Sequence, residues 1–175
     1  MDRTRLLVGG LVVALVASLV ALVLVWRDAD DAHERADAAA AMADAGVAAE
    51  KVAADAIVRM TTYNFRTVED DFAWVDEVGT TKFRDNYAAV SRDTVAIVRS
   101  MRAKAKGVVV DSSATVADPE HVKVLLFVDQ TIRAEGTPQP DFEQTRVTMQ
   151  MVDQDGKWLV DEVEVTNLLT PSAAR

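Results

Sequence analysis

The chain has 175 residues with 28 acidic and 19 basic side chains, a net charge of −9 at pH 7 and no cysteine. This balance argues against a nucleic-acid partner, since binding to a phosphate backbone needs clustered lysine and arginine. Without cysteine there are no disulfides, thiol nucleophiles or thiolate metal sites. The two histidines, His33 and His121, lie far apart in sequence, with no acidic cluster at ligand spacing. We therefore expect no metal and no cofactor.

An uninterrupted apolar run extends from Leu6 to Trp26. Its length matches the ~20 residues that a helix needs to cross the hydrocarbon core of a bilayer. A cleaved signal peptide, the alternative, would have a shorter apolar region and a small-residue cleavage site. Arg3 and Arg5 precede the run, and this bias places the N-terminus in the cytoplasm. The sequence predicts a single-pass cell-membrane protein with an extracytoplasmic C-terminal domain.

The segment after the apolar run is rich in alanine and charge, with no proline between residues 28 and 62. Because alanine has the highest helix propensity, we predict a long helix that continues out of the membrane. Residues 27–46 have almost no large apolar side chain and are interpreted as a solvated helical stalk. A partly disordered tether and helix association through alanine-rich faces are the alternatives. From Val47 onward an apolar face begins, which assigns that half of the helix to the domain.

Two further helices are predicted before the strands begin. Thr67-Val68-Glu69-Asp70 has the spacing of a capping box, and a short helix follows it as far as Gly79. The next helix begins at Thr80 or Thr81 and ends before Gly107. Its apolar stripe has helical spacing. The stripe consists of Phe83, Tyr87, Val90, Thr94, Ile97, Val98 and Met101.

After Gly107 the apolar period changes to two, which predicts four antiparallel strands. The first strand places Val108, Val110, Ala114 and Val116 on one face. The second, around residues 122–128, is apolar on both sides and is predicted to be buried and central.

Turn residues separate these strands. Asp118-Pro119-Glu120 and Asp155-Gly156 are turn sequences, and residues 136–140 form a loop. In the last strand the apolar phase changes, so a bulge is expected near Asp161 or Glu162.

Helices first and strands after is the α+β pattern. We predict a cone-like domain of three helices packed on a curved four-stranded antiparallel sheet. The organisation is residues 1–5 cytoplasmic, 6–26 transmembrane helix, 27–46 helical stalk, 47–168 extracytoplasmic cone domain and 169–175 frayed tail. Five large apolar residues are expected to fill the core of the cone or to line a pocket for a lipid tail. They are Met101, Phe127, Met149, Met151 and Trp158.

Several short motifs follow one another in a specific order. They are Tyr63-Asn64-Phe65-Arg66-Thr67, Gly-x-x-x-Phe-Arg-Asp-x-Tyr over residues 79–87, the segment 124–131, Arg146-Val147-Thr148-Met149 and Gly156-Lys157-Trp158-Leu159-Val160-Asp161. In this order the chain resembles, over residues 1–168, the Mce-associated membrane proteins of actinobacteria, which are encoded with mammalian-cell-entry lipid importers. The resemblance implies a nuclear transport factor two-like cone, similar in fold to the periplasmic assembly component of type IV secretion systems.

The resemblance implies a non-catalytic accessory subunit that stabilises or assembles an Mce transporter for fatty acids or sterols. Mce proteins or their permease would then be the partners. The alternatives are a lipid-binding module that uses the cone interior and an assembly scaffold of a type IV secretion-like system.

An enzyme of the ketosteroid isomerase type is a further hypothesis, because such enzymes place an aspartate base and a tyrosine in an apolar cone. The candidates are Tyr63, Tyr87, Asp70, Asp93 and His121. Each also has a structural explanation, as a core phenol, a capping residue or an exposed side chain. No motif here is a known catalytic set, and we predict that the chain is not an enzyme.

Overall fold

The computed structural model describes residues 33–167. The predicted transmembrane helix over 6–26 and the predicted frayed tail lie outside the described residues. Within residues 33–167, no helix is long and apolar enough to cross a membrane. The chain divides into two units, Met1–Ala41 and Met42–Arg175. In the first unit, residues 33–41 are helical and exposed.

The described elements confirm an α+β fold in which the helices precede the four long strands. In chain order they are α1 (residues 33–61), β1 (Tyr63–Asn64), α2 (Val68–Phe72), α3 (Trp74–Val78), α4 (Thr81–Ser100), β2 (Lys104–Asp118), β3 (His121–Arg133), β4 (Asp141–Gln154) and β5 (Lys157–Asn167). The strands form one antiparallel sheet in the order β1-β2-β3-β4-β5.

The sheet has one strand more than the four that were predicted. Tyr63 and Asn64 pair with Ala105 and Lys104 of β2. A strand of two residues shows no alternation in the sequence, so periodicity could not reveal it. Where one short helix was predicted between Thr67 and Gly79, the structure has two, α2 and α3. The Ala73 N–H between them donates to Asp70 O at 3.1 Å, and this bond to residue i−3 interrupts the α-helical ladder.

The predicted capping box at Thr67 does not form. A turn closed by the bond from Thr67 N to Asn64 O places the Thr67 hydroxyl beside Asp71. The hydroxyl donates to Asp71 Oδ2 at 3.0 Å, and the Asn64 N–H donates to the same oxygen at 2.7 Å. Thr80 does cap α4, since its Oγ1 accepts from the Phe83 N–H at 3.1 Å.

Small residues pack α1 against the inner face of the sheet. Ala45, Ala49, Ala53, Ala56 and Ile57 are at most 8% exposed, and they recur every three or four residues along the helix. Larger buried side chains of β3, β4 and β5 belong to the same cluster. They are Val122, Val124, Leu126, Val128, Val147, Met149, Met151 and Val160. The alanines therefore favour the helix and also allow its backbone to approach the sheet closely.

A bulge in β2 reverses which side chains face the core. Val110 has no partner across the ladder to β3 and is the extra residue of the bulge. Before Val110, odd-numbered residues such as Val109 face inward. After Val110, the even-numbered residues face inward. Val108 and Val110 are consequently 50% and 62% exposed on the outer face of the sheet. The prediction that they share a face with Ala114 and Val116 is wrong.

The central strand β3 is covered on one face only. Its inward residues Val122, Val124, Leu126 and Val128 are at most 1% exposed. On the outer face Leu125 is half-buried and Phe127 is 36% exposed. The predicted central position of β3 is confirmed, whereas its predicted burial on both faces is wrong because the helices cover only the inner face.

Two local predictions about β5 are confirmed. Gln150 pairs with Glu162 and Met151 with Val160, so Asp161 is the extra residue of a bulge. Before β5, Asp155 and Gly156 have φ values of 57° and 80°, as a two-residue type I′ hairpin turn requires.

Candidate functional site

The five residues predicted to fill the core or line a pocket lie in different environments. Met149 and Met151 are 0% and 1% exposed, and the half-buried Trp158 packs against the same core. Met101 is 50% exposed just after α4, and Phe127 is 36% exposed on the outer face. Met101 and Phe127 therefore lie outside the core expected to contain them, and the five residues do not surround one cavity.

Side chains fill the space between α1 and the sheet. Leu126, Met149 and Met151 are among the largest side chains that are less than 2% exposed. A Cβ added at Gly46 would lie 3.0 Å from Val116 Cγ2, so helix and sheet approach within van der Waals contact. A lipid tail in this space would require α1 to move away from the sheet.

The candidates for isomerase-type chemistry are not gathered in one place. Tyr63 pairs with Ala105, which pairs with Ile132 near the end of β3. His121 begins β3, ~35 Å away at ~3.3 Å per strand residue. Its ring nitrogen contacts the carboxylate of Asp118 at 3.0 Å, and this hydrogen bond lowers the pKa of Asp118.

The two remaining acids, Asp70 and Asp93, are exposed on α2 and α4. Burial raises the pKa of both Tyr63 and Tyr87, which keeps these phenols protonated. Across residues 33–167, no group of three or more histidine, aspartate or glutamate residues could hold a metal ion.

An aromatic cluster joins the short helices to α4. Tyr87 of α4 lies 6.3 Å from Phe72, 5.5 Å from Trp74 and 5.7 Å from Phe83, measured between ring centroids. The Trp74 indole nitrogen is buried without a hydrogen-bond partner in the described part of the chain, and its ring meets that of Tyr87 at 68°. This cluster explains why the Phe83 and Tyr87 positions of the sequence motif are aromatic.

A groove of about 560 Å³ opens between α2–α3 and α4. Phe72, Val75, Tyr87 and Val95 contribute apolar lining, and charged residues form much of the remainder. Arg99 of α4 forms an ion pair of 2.9 Å with Glu69 of α2 across it. The groove is open to solvent and combines an apolar lining with paired charges.

The bulge at Asp161 connects the helices to the sheet. Asp161 Oδ1 accepts from Thr80 Oγ1 at 2.9 Å, and Oδ2 accepts from Lys82 Nζ at 2.7 Å. The Thr80 N–H also donates to Val160 O at 2.9 Å. The hydrogen bond from Lys82 lowers the pKa of Asp161 and raises that of Lys82. These contacts position the start of α4 against the sheet.

Part of the predicted α4 stripe faces away from the core. Phe83 and Val98 are buried, whereas Val90, Ile97 and Met101 are 65%, 57% and 50% exposed. The inward face of α4 continues from Phe83 at intervals of four residues, to residues 87, 91 and 95. It therefore includes Ser91, which the predicted apolar stripe omitted. The stripe predicted from the sequence thus combines residues of two helix faces.

No protein-family model matches the chain. Two curated relatives from Mycobacterium tuberculosis, uncharacterized proteins MT1407 and Rv1362c, are each 29% identical over 122 residues, or 67% of this chain. The chain spans about half the length of these relatives, since the match covers 54% of each.

Three solved structures share the fold. An IcmL-like type IV secretion system protein from Legionella pneumophila superposes with a TM-score of 0.60 and 11% identity, over 71% of this chain and 94% of that chain. The periplasmic domain of DotI superposes with a TM-score of 0.57 and 14% identity, over 67% of this chain and 91% of that chain. CagV, a VirB8 homolog from the type IV secretion system of Helicobacter pylori, superposes with a TM-score of 0.57 and 10% identity, over 70% of this chain and 98% of that chain. The described domain therefore shares the fold of these three proteins.

Proposed function

We propose that the chain is a non-catalytic, membrane-anchored scaffold whose extracytoplasmic domain helps to assemble a transport machine of the type IV secretion kind. The shared fold is the main support, because about two thirds of this chain superposes on more than 90% of each of the three secretion-system chains. Those proteins are a periplasmic domain and components of type IV secretion systems, and the predicted topology would place this domain on the same side of the membrane.

The arrangement of side chains also favours a scaffold. The catalytic candidates are dispersed, the space inside the cone is filled, and the described grooves lie at the surface. A scaffold needs a stable core and accessible faces, and this domain has both.

An accessory subunit of an Mce-type importer for fatty acids or sterols is the second candidate function. The order of the motifs and the two mycobacterial relatives favour it. Several motif residues, among them Phe83, Tyr87 and Asp161, form the aromatic cluster and the helix–sheet corner. These motif residues therefore stabilise the fold.

The test is affinity purification of the full-length protein from its native membrane in mild detergent, with mass spectrometry of co-purifying chains. Recovery of secretion-type components would support the leading proposal, and recovery of Mce proteins or their permease would support the second. A protein that purifies alone with bound lipid would contradict both and favour a lipid-binding module.

A matched variant locates the contact. Residues 1–41 are exchanged for an unrelated anchor and stalk, and the exchange stops there because Ala45 and Ala49 belong to the core. If the partners persist, the domain holds them; if they are lost while the domain stays folded, the anchor or stalk holds them.

A further inference from the structure

One end of the outer sheet face carries a concentration of positive charge in an otherwise acidic chain. Two adjoining grooves there, of about 570 and 260 Å³, share Lys104 and Arg133 in their lining. We call the two together the basic groove. Its basic residues are Arg66, Arg102, Lys104, Lys106 and Arg133.

Most of these bases have no acidic partner among residues 33–167. Arg102 forms an ion pair of 2.7 Å with Glu135. For Lys104, Lys106 and Arg133, no carboxylate of residues 33–167 lies within ion-pair distance. Asp129, the other acid lining the groove, accepts a hydrogen bond from the Gln144 amide at 3.0 Å. With 28 acids against 19 bases in the chain, unpaired bases gathered in one place indicate complementarity to a negative partner.

The positions of two bases strengthen this argument. Lys104 of β2 and Arg133 of β3 are direct cross-strand partners. Like charges directly opposite each other destabilise a sheet. A bound anionic group between them would offset this repulsion, and no carboxylate of residues 33–167 forms an ion pair with either base.

Apolar surface continues from the charges. Val108 and Phe142 are 50% and 51% exposed and line the larger groove beside Lys106 and Thr131. Along β2 the outward side chains are therefore Lys104, Lys106, Val108 and Val110 in succession. An extended polypeptide has the same two-residue spacing, so acidic residues followed by apolar residues on one of its faces would match this surface.

We propose that the basic groove binds an extended acidic segment of a partner protein. Carboxylates of the segment contact Lys104, Lys106 and Arg133, and apolar residues that follow them cover Val108 and Phe142. The groove is too open to bury most of a lipid chain, and the overall acidity of the domain opposes nucleic acid.

The test measures fluorescence anisotropy of a labelled peptide added to the purified full-length chain in mild detergent. One face of the probe peptide carries two aspartates followed by two valines, and the control peptide has lysines in place of the aspartates. We expect saturable binding of the acidic peptide alone, weakened by raised salt because the contacts are between exposed charges.

Paired variants assign the site. Lys104→Glu with Arg133→Glu should weaken binding about tenfold or more, whereas Lys123→Glu, on the same outer face at the far end of β3, should change it less than about twofold. The neutral double variant Lys104→Gln with Arg133→Gln should give an intermediate loss of peptide affinity. It replaces the charge-reversal variant if that variant does not fold.

Four outcomes would overturn the proposal. The first is equal binding of both peptides, and the second is an equal effect of the groove variants and the Lys123 variant on binding. The third is the absence of saturable binding up to about 1 mM, a concentration that corresponds to weak affinity. The fourth is saturable binding of palmitate in place of the peptide. None of them depends on the identity of the transport machine, so a failure here leaves the proposed scaffold role to its own test.

Discussion

The two faces of the sheet differ although the same strands form both. On the inner face, Val124, Leu126 and Met149 are 0% exposed beneath the alanines of α1. On the outer face, Val108 and Phe142 are half exposed and lie among lysine and arginine side chains. The inner face requires close packing for stability, while the outer face is free to carry charges that do not stabilise the fold. The fold therefore depends on the inner face, and the outer face is the one for which we propose recognition.

The largest expected effect separates two methionines that the sequence placed together. Met149→Ala should lower the free energy of unfolding by ~2–5 kcal/mol, because a fully buried side chain leaves a cavity. Met101→Ala should change it by less than ~0.5 kcal/mol, because Met101 is 50% exposed. Urea denaturation followed by circular dichroism measures both values. Similar losses for the two variants would contradict the assignment of Met149 to the core and Met101 to the surface.

The next effect tests the close contact of α1 with the sheet. Ala53 is 0% exposed, so Ala53→Leu should overpack the core and lower the free energy of unfolding by ~1–3 kcal/mol. Ala48→Leu makes the same change at an exposed position of the same helix and should have almost no effect. If Ala53→Leu were tolerated equally well, α1 would not pack against the sheet through its alanines.

Much of the fold could be predicted because its signals are local. The order of helices and strands, the Asp155-Gly156 turn and the bulge at Asp161 all follow from period, turn chemistry and change of phase. The sequence did not reveal β1, whose two residues show no alternation, or the bulge at Val110, which reversed the inward face of β2. It also assigned Ile97 to the core, since spacing alone does not identify which of two neighbouring helix faces is covered.

The surfaces were harder to predict than the core. Lys104 and Arg133 are far apart in sequence, and only the register of β2 with β3 places them opposite each other. Phe127 was grouped with the core because it is large and apolar, a property that does not distinguish the two sides of a strand. An alternation of lysine then valine on β2 was visible in the sequence and could have indicated the basic groove had the outward face of β2 been known.

A smaller effect tests the contacts of Asp161 that connect α4 to the sheet. It is measured as the dependence of the free energy of unfolding on pH. The hydrogen bond from Lys82 lowers the pKa of Asp161 in the folded state. A carboxyl of this kind contributes stability above its unfolded pKa of ~3.9 and loses it as the pH falls through the lower folded value. Asp161→Asn should therefore cost about 1 kcal/mol at pH 7, and the difference from the wild type should shrink below about pH 4.

Urea denaturation between pH 2 and pH 7 measures this dependence. Glu164→Gln, an exposed carboxyl change on the same strand, is the control and should give a small difference. A difference between wild type and Asp161→Asn that stayed constant from pH 7 to pH 2 would show that ionisation of Asp161 does not stabilise the corner.

The smallest effect has the opposite sign and tests the outer face. Lys104→Thr removes the like charge opposite Arg133, so the free energy of unfolding should rise by ~0.2–0.5 kcal/mol at low salt. The gain should shrink at high salt, where the repulsion is screened. Lys123→Thr is the control, because Lys123 faces Thr115 and Gln150, and subtracting it removes the general preference of threonine for strands. A loss of stability specific to Lys104→Thr would mean that Lys104 has a stabilising partner within the domain. A gain, together with weaker binding of the acidic peptide by the same variant, would show that this end of the sheet retains a charge for recognition at the expense of stability.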